Sequence, residues 1–319
     1  MKNEYTVKRR IDLDCISGLM IITMLLVHIS DFSGTRNVQF LEIPYLIFQF
    51  FMAWFFYKSG MFHSDNDLLK RSIRRLIIPW CVFTLIGVVV KFSVDSSYSF
   101  RAIVVEILFG GASSGNTALW FLFSLFICRI LFSLCVKMHI SPFMLVGISF
   151  ILAFAHNLSS ISMPYYLGNI PLGLAFYSLG FWLKNKQYLD KLFVWSLIIY
   201  IIYLISGSGT IGFYNNSTTG IWVICVMGFI SGCVLVNNMF YRFQFLNNKA
   251  LCAIGRNTMP IYLIHWPILC IIQNVLKQKD ICEGGVFIIN LFVVSIFCGL
   301  FVLVLNSRWV APYKRLFGL

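Results

Sequence analysis

Two histidines and a few carboxylates and cations stand where the sequence is otherwise apolar, and these are the residues able to do chemistry. His28 lies near the end of an apolar run that begins at Ile11, and Asp31 follows three residues later. In a helix those two positions share a face. A carboxylate beside an imidazole is the pairing that orients a general base, and imidazole changes charge near neutral pH. By helical rise, His28 lies roughly 26 Å along the run from Ile11. His265 sits in a second run, Ile261-Tyr262-Leu263-Ile264-His265-Trp266-Pro267, about 9 Å from that run's start by the same measure. For both, the structural alternative is a histidine satisfied by hydrogen bonds. Asp12 and Asp14 open the first run beside Lys8, Arg9 and Arg10. Acids there complement the helix dipole, so capping explains them as well as a substrate contact does. Lys70, Arg71, Arg74 and Arg75 precede Leu76-Ile77-Ile78-Pro79-Trp80. Such a cluster anchors a helix at the membrane surface, and the guanidinium fork also binds phosphate. His63, His139 and His156 fall at loop edges. No Walker loop and no H-E-x-x-H is present, which argues against an ATP-driven pump or a zinc protease. The ten cysteines show no C-x-x-C spacing, so neither a metal site nor disulfides are expected.

The elements that must hold these residues follow from composition. The chain has 319 residues, 59% hydrophobic and 12% charged, against roughly a quarter charged in a soluble domain. That excludes an ordinary cytosolic enzyme, a disordered chain and a secreted disulfide scaffold, and the apolar excess must face lipid. Apolar runs cover residues 11–30, 43–62, 76–94, 117–136, 141–158, 167–183, 192–206, 219–236, 259–276 and 286–306. Ten spans take about 200 residues, leaving no room for a sizeable soluble domain, so residues 1–319 read as one transmembrane domain. The first run is too long for a signal-peptide core and reads as a retained span. The net charge of +13 raises nucleic acid as a partner, but its distribution has a membrane explanation. With the N-terminus inside, 20 of the 25 Lys and Arg fall on the inner side, as the positive-inside rule requires. The expected fold is all-α, a polytopic membrane protein of ten transmembrane helices with both termini cytoplasmic. No internal repeat supports a transporter built from two halves.

Four stretches, in order, resemble the acyltransferase 3 family of integral membrane O-acyltransferases. They are Ile11-Asp12-Leu13-Asp14-Cys15-Ile16-Ser17-Gly18 running on to Val27-His28; Phe50 through Phe62 with Arg75-Leu76-Ile77-Ile78-Pro79-Trp80; Ala118-Leu119-Trp120-Phe121-Leu122; and Ile254-Gly255-Arg256-Asn257-Thr258 running on to His265. Within the family the chain is most similar to fucose 4-O-acetylase-like sugar acetyltransferases. The resemblance implies transfer of an acetyl group from acetyl-CoA to a hydroxyl of a cell-envelope sugar, in a bacterial plasma membrane. It implies His28 as base with Asp31 orienting it, and His265 as a second catalytic histidine. Arg74, Arg75 and Lys58 would meet the CoA phosphates. Asp12, Asp14, Asn116 and Trp120 would lie on the substrate side, the last two as donors to the oxyanion. The implied partners are membrane lipid, acetyl-CoA and a sugar or lipid-linked glycan acceptor, with no metal. Two departures stand out. The family carries Arg or Lys eleven positions before the histidine, and here that residue is Ser17; Phe51 and Ala53 replace the His and Pro of the second motif. A tension also arises, since CoA is cytoplasmic and His28 lies toward the outer face. The alternative function is a transporter or flippase-like component of polysaccharide export, using the same polar residues as a path.

Overall fold

The apolar runs fold as helices because lipid leaves backbone polar groups no partner outside the chain. The computed structural model describes residues 10–35, 45–94, 99–109, 115–159, 161, 163–186, 189–207, 209–277, 279, 281–308 and 310. Lys2, Lys8, Arg9, Arg36, Lys314 and Arg315, which enter the charge asymmetry, and the start of the second apolar run lie outside the described residues. The helices are α1 (Ile11–Ser33), α2 (Phe51–Met61), α3 (Leu68–Val94), α4 (Phe100–Phe109), α5 (Trp120–Lys137), α6 (Pro142–Ser159), α7 (Ile170–Leu183), α8 (Asp190–Ser206), α9 (Trp222–Arg242), α10 (Lys249–Arg256), α11 (Thr258–Leu276) and α12 (Glu283–Asn306). Between α8 and α9 a short antiparallel hairpin pairs β1 (Ile211–Gly212) with β2 (Ser217–Thr218). Each of the ten apolar runs overlaps one of these helices. Seven, α1, α3, α5, α6, α9, α11 and α12, are long and apolar enough to cross a membrane. The other three, α2, α7 and α8, have 11, 14 and 17 residues.

Two glycine-mediated crossings set the interior. α2 meets α7 where Gly60 faces the Tyr177 carbonyl and Gly180 faces the Tyr57 carbonyl; a Cβ on either glycine would lie 1.9 Å from the facing oxygen. α10 meets α1 where Gly255 faces the Asp14 carbonyl and Gly18 faces the Leu251 carbonyl; here a Cβ would lie 1.7 Å and 2.2 Å from the respective oxygens. Small residues allow this approach, which matters where lipid removes the hydrophobic drive for helix association. The second crossing changes the depth of α11. Hydropathy places 249–256 in a loop, whereas α10 lies against the first turns of α1. α11 therefore starts deeper in the bundle than hydropathy implies. Gly255→Ala has no space without a backbone shift. Overpacking of this kind costs about 1–3 kcal/mol, and the expected result is a lower melting temperature of the detergent-solubilised protein. A melting temperature equal to wild type would contradict the crossing.

Prolines explain two irregularities. Pro79 has no N–H for the Arg75 carbonyl, and α3 widens just before it into a π-helical turn at Ile73–Ile77, closed by the Ile78 N–H on the Ile73 carbonyl. Pro267 likewise leaves the Leu263 carbonyl without its helical donor, and the side chain of Asn116, just before α5, fills that role. At the loop between α2 and α3, His63 makes an unexpected anchor. Its Nε2 is 3.3 Å from Asp65 Oδ1, and its Nδ1 is 2.7 Å from the Tyr177 hydroxyl. A carboxylate only accepts, so Nε2 donates and Tyr177 donates to Nδ1. Burial holds the His63 imidazole below its ordinary pKa. The Ser133 hydroxyl, 2.5 Å from Asp65 Oδ1, and then the neighbouring His63 hold the Asp65 carboxyl below its usual range.

Candidate active site

The two histidines that the sequence placed in separate runs are stacked. The His28 and His265 rings have centroids 5.4 Å apart and planes 25° apart. Trp266 meets the His28 ring edge-on at 5.2 Å, and Phe32 meets Trp266 at 5.0 Å. The pairing is possible because α10 raises α11 along α1. His265 thus reaches the level of His28 although it is only seven residues into its own helix.

His265 is fully buried. Its Nδ1 lies 2.7 Å from the Tyr262 carbonyl of its own helix. A carbonyl cannot donate, so Nδ1 carries the hydrogen and Nε2 is left as a bare lone pair. Nε2 has no hydrogen-bond partner among the described residues. A buried polar atom without a partner is costly, and here it is an imidazole acceptor held in one tautomer. His28 is half-buried beside it, and Asp31 lies exposed three residues further along α1.

Below this pair, toward the N-terminal end of α1, lies a small apolar pocket of about 70 Å³ lined by Ile21, Met24, Met52, Phe55, Phe121, Thr258, Met259 and Tyr262. Met24 and Ile21 sit one and two turns before His28, and Tyr262 and Thr258 sit one and two turns before His265. The pocket and the imidazoles therefore share one seam between α1 and α11. At the pocket's far end is a cation. The Lys58 ammonium hydrogen-bonds the buried Ser17 hydroxyl and lies 5.4 Å over the Trp54 ring. Ser17 in turn donates to the Leu13 carbonyl at 2.6 Å. Trp54 is held by Asn237, Nε1 to Oδ1 at 3.1 Å. The position that the resemblance leaves without a basic residue thus has one beside it, delivered from α2.

The other sequence-selected residues divide. Asn116 is fully buried, and its Nδ2 donates to the Leu263 carbonyl at 3.3 Å, replacing the donor that Pro267 lacks. Its Oδ1 has no partner among the described residues. The Tyr262 hydroxyl bonds the Ala118 carbonyl, so the start of α5 is tied twice to the helix carrying His265. Trp120, one turn beyond Asn116, is half-buried. Asp12 pairs with Arg10 at 2.5 Å, and Asp14 pairs with Arg256 at 3.2 Å across the α1–α10 crossing. Both acids lie far down α1 from the imidazoles. Arg74, half-buried, and Arg75, exposed, ride on the π-helical turn that packs on α5. Sequence reasoning missed Tyr262 and Trp266 as neighbours of the pair. Pro267 carried a different signal, marking Leu263 as a carbonyl needing an outside donor, which Asn116 supplies.

A helical membrane bundle with an imidazole pair above an apolar pocket agrees in kind with an enzyme acting on a substrate that carries an apolar or flexible arm. Comparison with protein families gives the class. The profile of the acyltransferase 3 family, described as an acyltransferase domain, matches residues 10–307. The chain belongs to the acyltransferase 3 family and is a multi-pass membrane acyltransferase. No curated protein and no solved structure matches it.

Proposed function

We propose that this chain is an O-acetyltransferase that moves an acetyl group from acetyl-CoA to a hydroxyl of a cell-envelope sugar at a bacterial plasma membrane. The observation that carries the reading is the line of groups along α1: Lys58 on Ser17, then the apolar pocket, then the stacked imidazoles. Ser17 and His28 are eleven residues apart, roughly 16 Å of helix, a length comparable to an extended pantetheine arm. A CoA entering from the end that holds Lys58 would set its phosphates near the ammonium, run its arm through the pocket and bring the thioester to the imidazoles. The bias of Lys and Arg toward that end supports its being cytoplasmic. The acceptor would enter from the opposite, outer side of the membrane. That arrangement removes the conflict between a cytoplasmic donor and a base near the outer face.

The chemistry then needs few groups. The sugar hydroxyl oxygen attacks the thioester carbonyl carbon while an imidazole takes its proton. The carbon–sulfur bond breaks, and the proton passes from the imidazole to the departing sulfur, giving free CoA and the ester. His265 offers a lone pair that needs no reorganisation, and His28 beside it has Asp31 within a turn. Arg74 and Arg75 remain suited to the nucleotide phosphates of the donor at the same end as Lys58.

Mass spectrometry of surface glycans tests the reading. Cells lacking the chain should show glycan lighter by one acetyl group per modified unit, restored by wild type. Glycan of unchanged mass but reduced amount would contradict it and favour export.

A further inference from the structure

From the wall of the pocket beside His265, aromatic rings run in an unbroken file to the surface. Tyr262 is 6.0 Å from His265, Phe121 is 5.9 Å from Tyr262, and Trp120 is 6.1 Å from Phe121. Tyr166 is then 6.4 Å from Trp120, and Tyr214 is 6.4 Å from Tyr166. The file begins buried and ends open: Tyr262 is buried, Trp120 and Tyr166 are half-buried, and Tyr214 is 49% exposed.

The outer rings are held in place by unusual backbone. Tyr165 and Tyr166 have φ of 56° each, the left-handed region that bulky residues rarely enter and that concentrates at functional sites. The next turn is locked as well. A Cβ on Gly168 would lie 2.4 Å from the His156 ring. Buried Asn169 donates to the Tyr214 carbonyl at 3.0 Å, and its Oδ1 has no partner among the described residues. Tyrosine and tryptophan also gather at membrane interfaces as anchors, but anchoring needs only rings on the outside of the bundle. Here the loop that carries Tyr214 turns inward, and Phe213, 5% exposed, stacks on Trp120 and on Phe56. The exposed rings are thus backed by protein and lead to the pocket wall beside the imidazoles.

Rings with an apolar face and a polar tip suit sugars, which offer C–H faces to the ring and hydroxyls to its edge. We infer that Trp120, Tyr166 and Tyr214 seat the sugar rings next to the one that is acetylated, so that the acceptor is an oligosaccharide or longer glycan and not a free monosaccharide. The inference rests on the proposed acyl transfer. Two ring-to-ring steps give room for more than one sugar unit beyond Trp120.

The test uses the full-length protein in membranes, acetyl-CoA, and fragments of one, two and three or more units cut from the cell's own surface glycan after mild alkaline removal of esters. Wild type should favour the longest fragment over the single unit by about tenfold or more in kcat/KM, the order expected for stacked rings. Tyr166→Ala/Tyr214→Ala should lose most of that preference, while Tyr166→Phe/Tyr214→Phe keeps it and the KM for acetyl-CoA stays at its wild-type value in both. Equal use of all lengths by wild type, or an undiminished preference in the alanine variant, overturns the platform while leaving acetyl transfer standing. No transfer to a fragment of any length overturns the acyl-transfer reading and the platform together.

Discussion

Replacing His265 with alanine is expected to lower acetyl transfer by about 10²- to 10⁴-fold, the usual worth of a positioned general base. The reason is geometric. His265 is fully buried beside His28, its tautomer is set by the Tyr262 carbonyl, and its Nε2 has no partner among the described residues. Alanine removes the proton acceptor and leaves a small void. His265→Gln separates the two effects, since an amide fills the space and can hydrogen-bond but cannot carry the proton. It should fold and melt close to wild type and remain at least as impaired as a base-deleted enzyme. His28→Ala should fall in the same range, and the double variant should lose little more than either single one, because groups that act as a unit are not additive. Initial rates of CoA release in membranes, with protein level checked on a gel, measure this directly. A His265→Gln enzyme with near wild-type rates would remove the histidine from the chemistry.

The second large effect concerns the ammonium at the foot of the pocket. Lys58→Leu is expected to raise the KM for acetyl-CoA about tenfold or more, as loss of a charge-assisted contact to an anionic donor does. Ser17→Lys alone should also be impaired, because it sets two ammonium groups side by side in a poorly solvated place. The double variant Ser17→Lys/Lys58→Leu moves the charge from α2 to α1 and should recover most of the lost donor affinity. Recovery is informative because a purely structural hydrogen bond between Lys58 and Ser17 is absent from the double variant too. If the double variant is no better than the worse single one, the charge has no role at the donor site.

How much of this was legible in the sequence depended on distance along the chain. The helices were legible, since each apolar run had to form its own backbone bonds. So was the placing of His28 within a helix, an imidazole inside an apolar run. The stacking of His28 on His265 was not. Hydropathy set His265 near one face because residues 249–256 looked like a loop, and only the Gly18–Gly255 contact, with Asp14 on Arg256, shows α10 lying along α1. Asn116 reads as an oxyanion donor, and in the structure its amide nitrogen donates to the carbonyl freed by Pro267, a distant partner that no local pattern reveals. The substitution of Ser17 for a basic residue was visible, while its answer, Lys58, lay forty-one positions away. Three-dimensional neighbours of that kind leave no periodic trace in one sequence.

The proposed transfer of acetyl from CoA to glycan at the stacked histidines is tested most directly with radiolabelled acetyl-CoA supplied to the purified protein in lipid vesicles, and glycan stripped of its esters as acceptor. Label should enter the glycan with wild type and stay in acetyl-CoA with His28→Ala/His265→Ala. Label entering the glycan equally well with that double variant would contradict the claim.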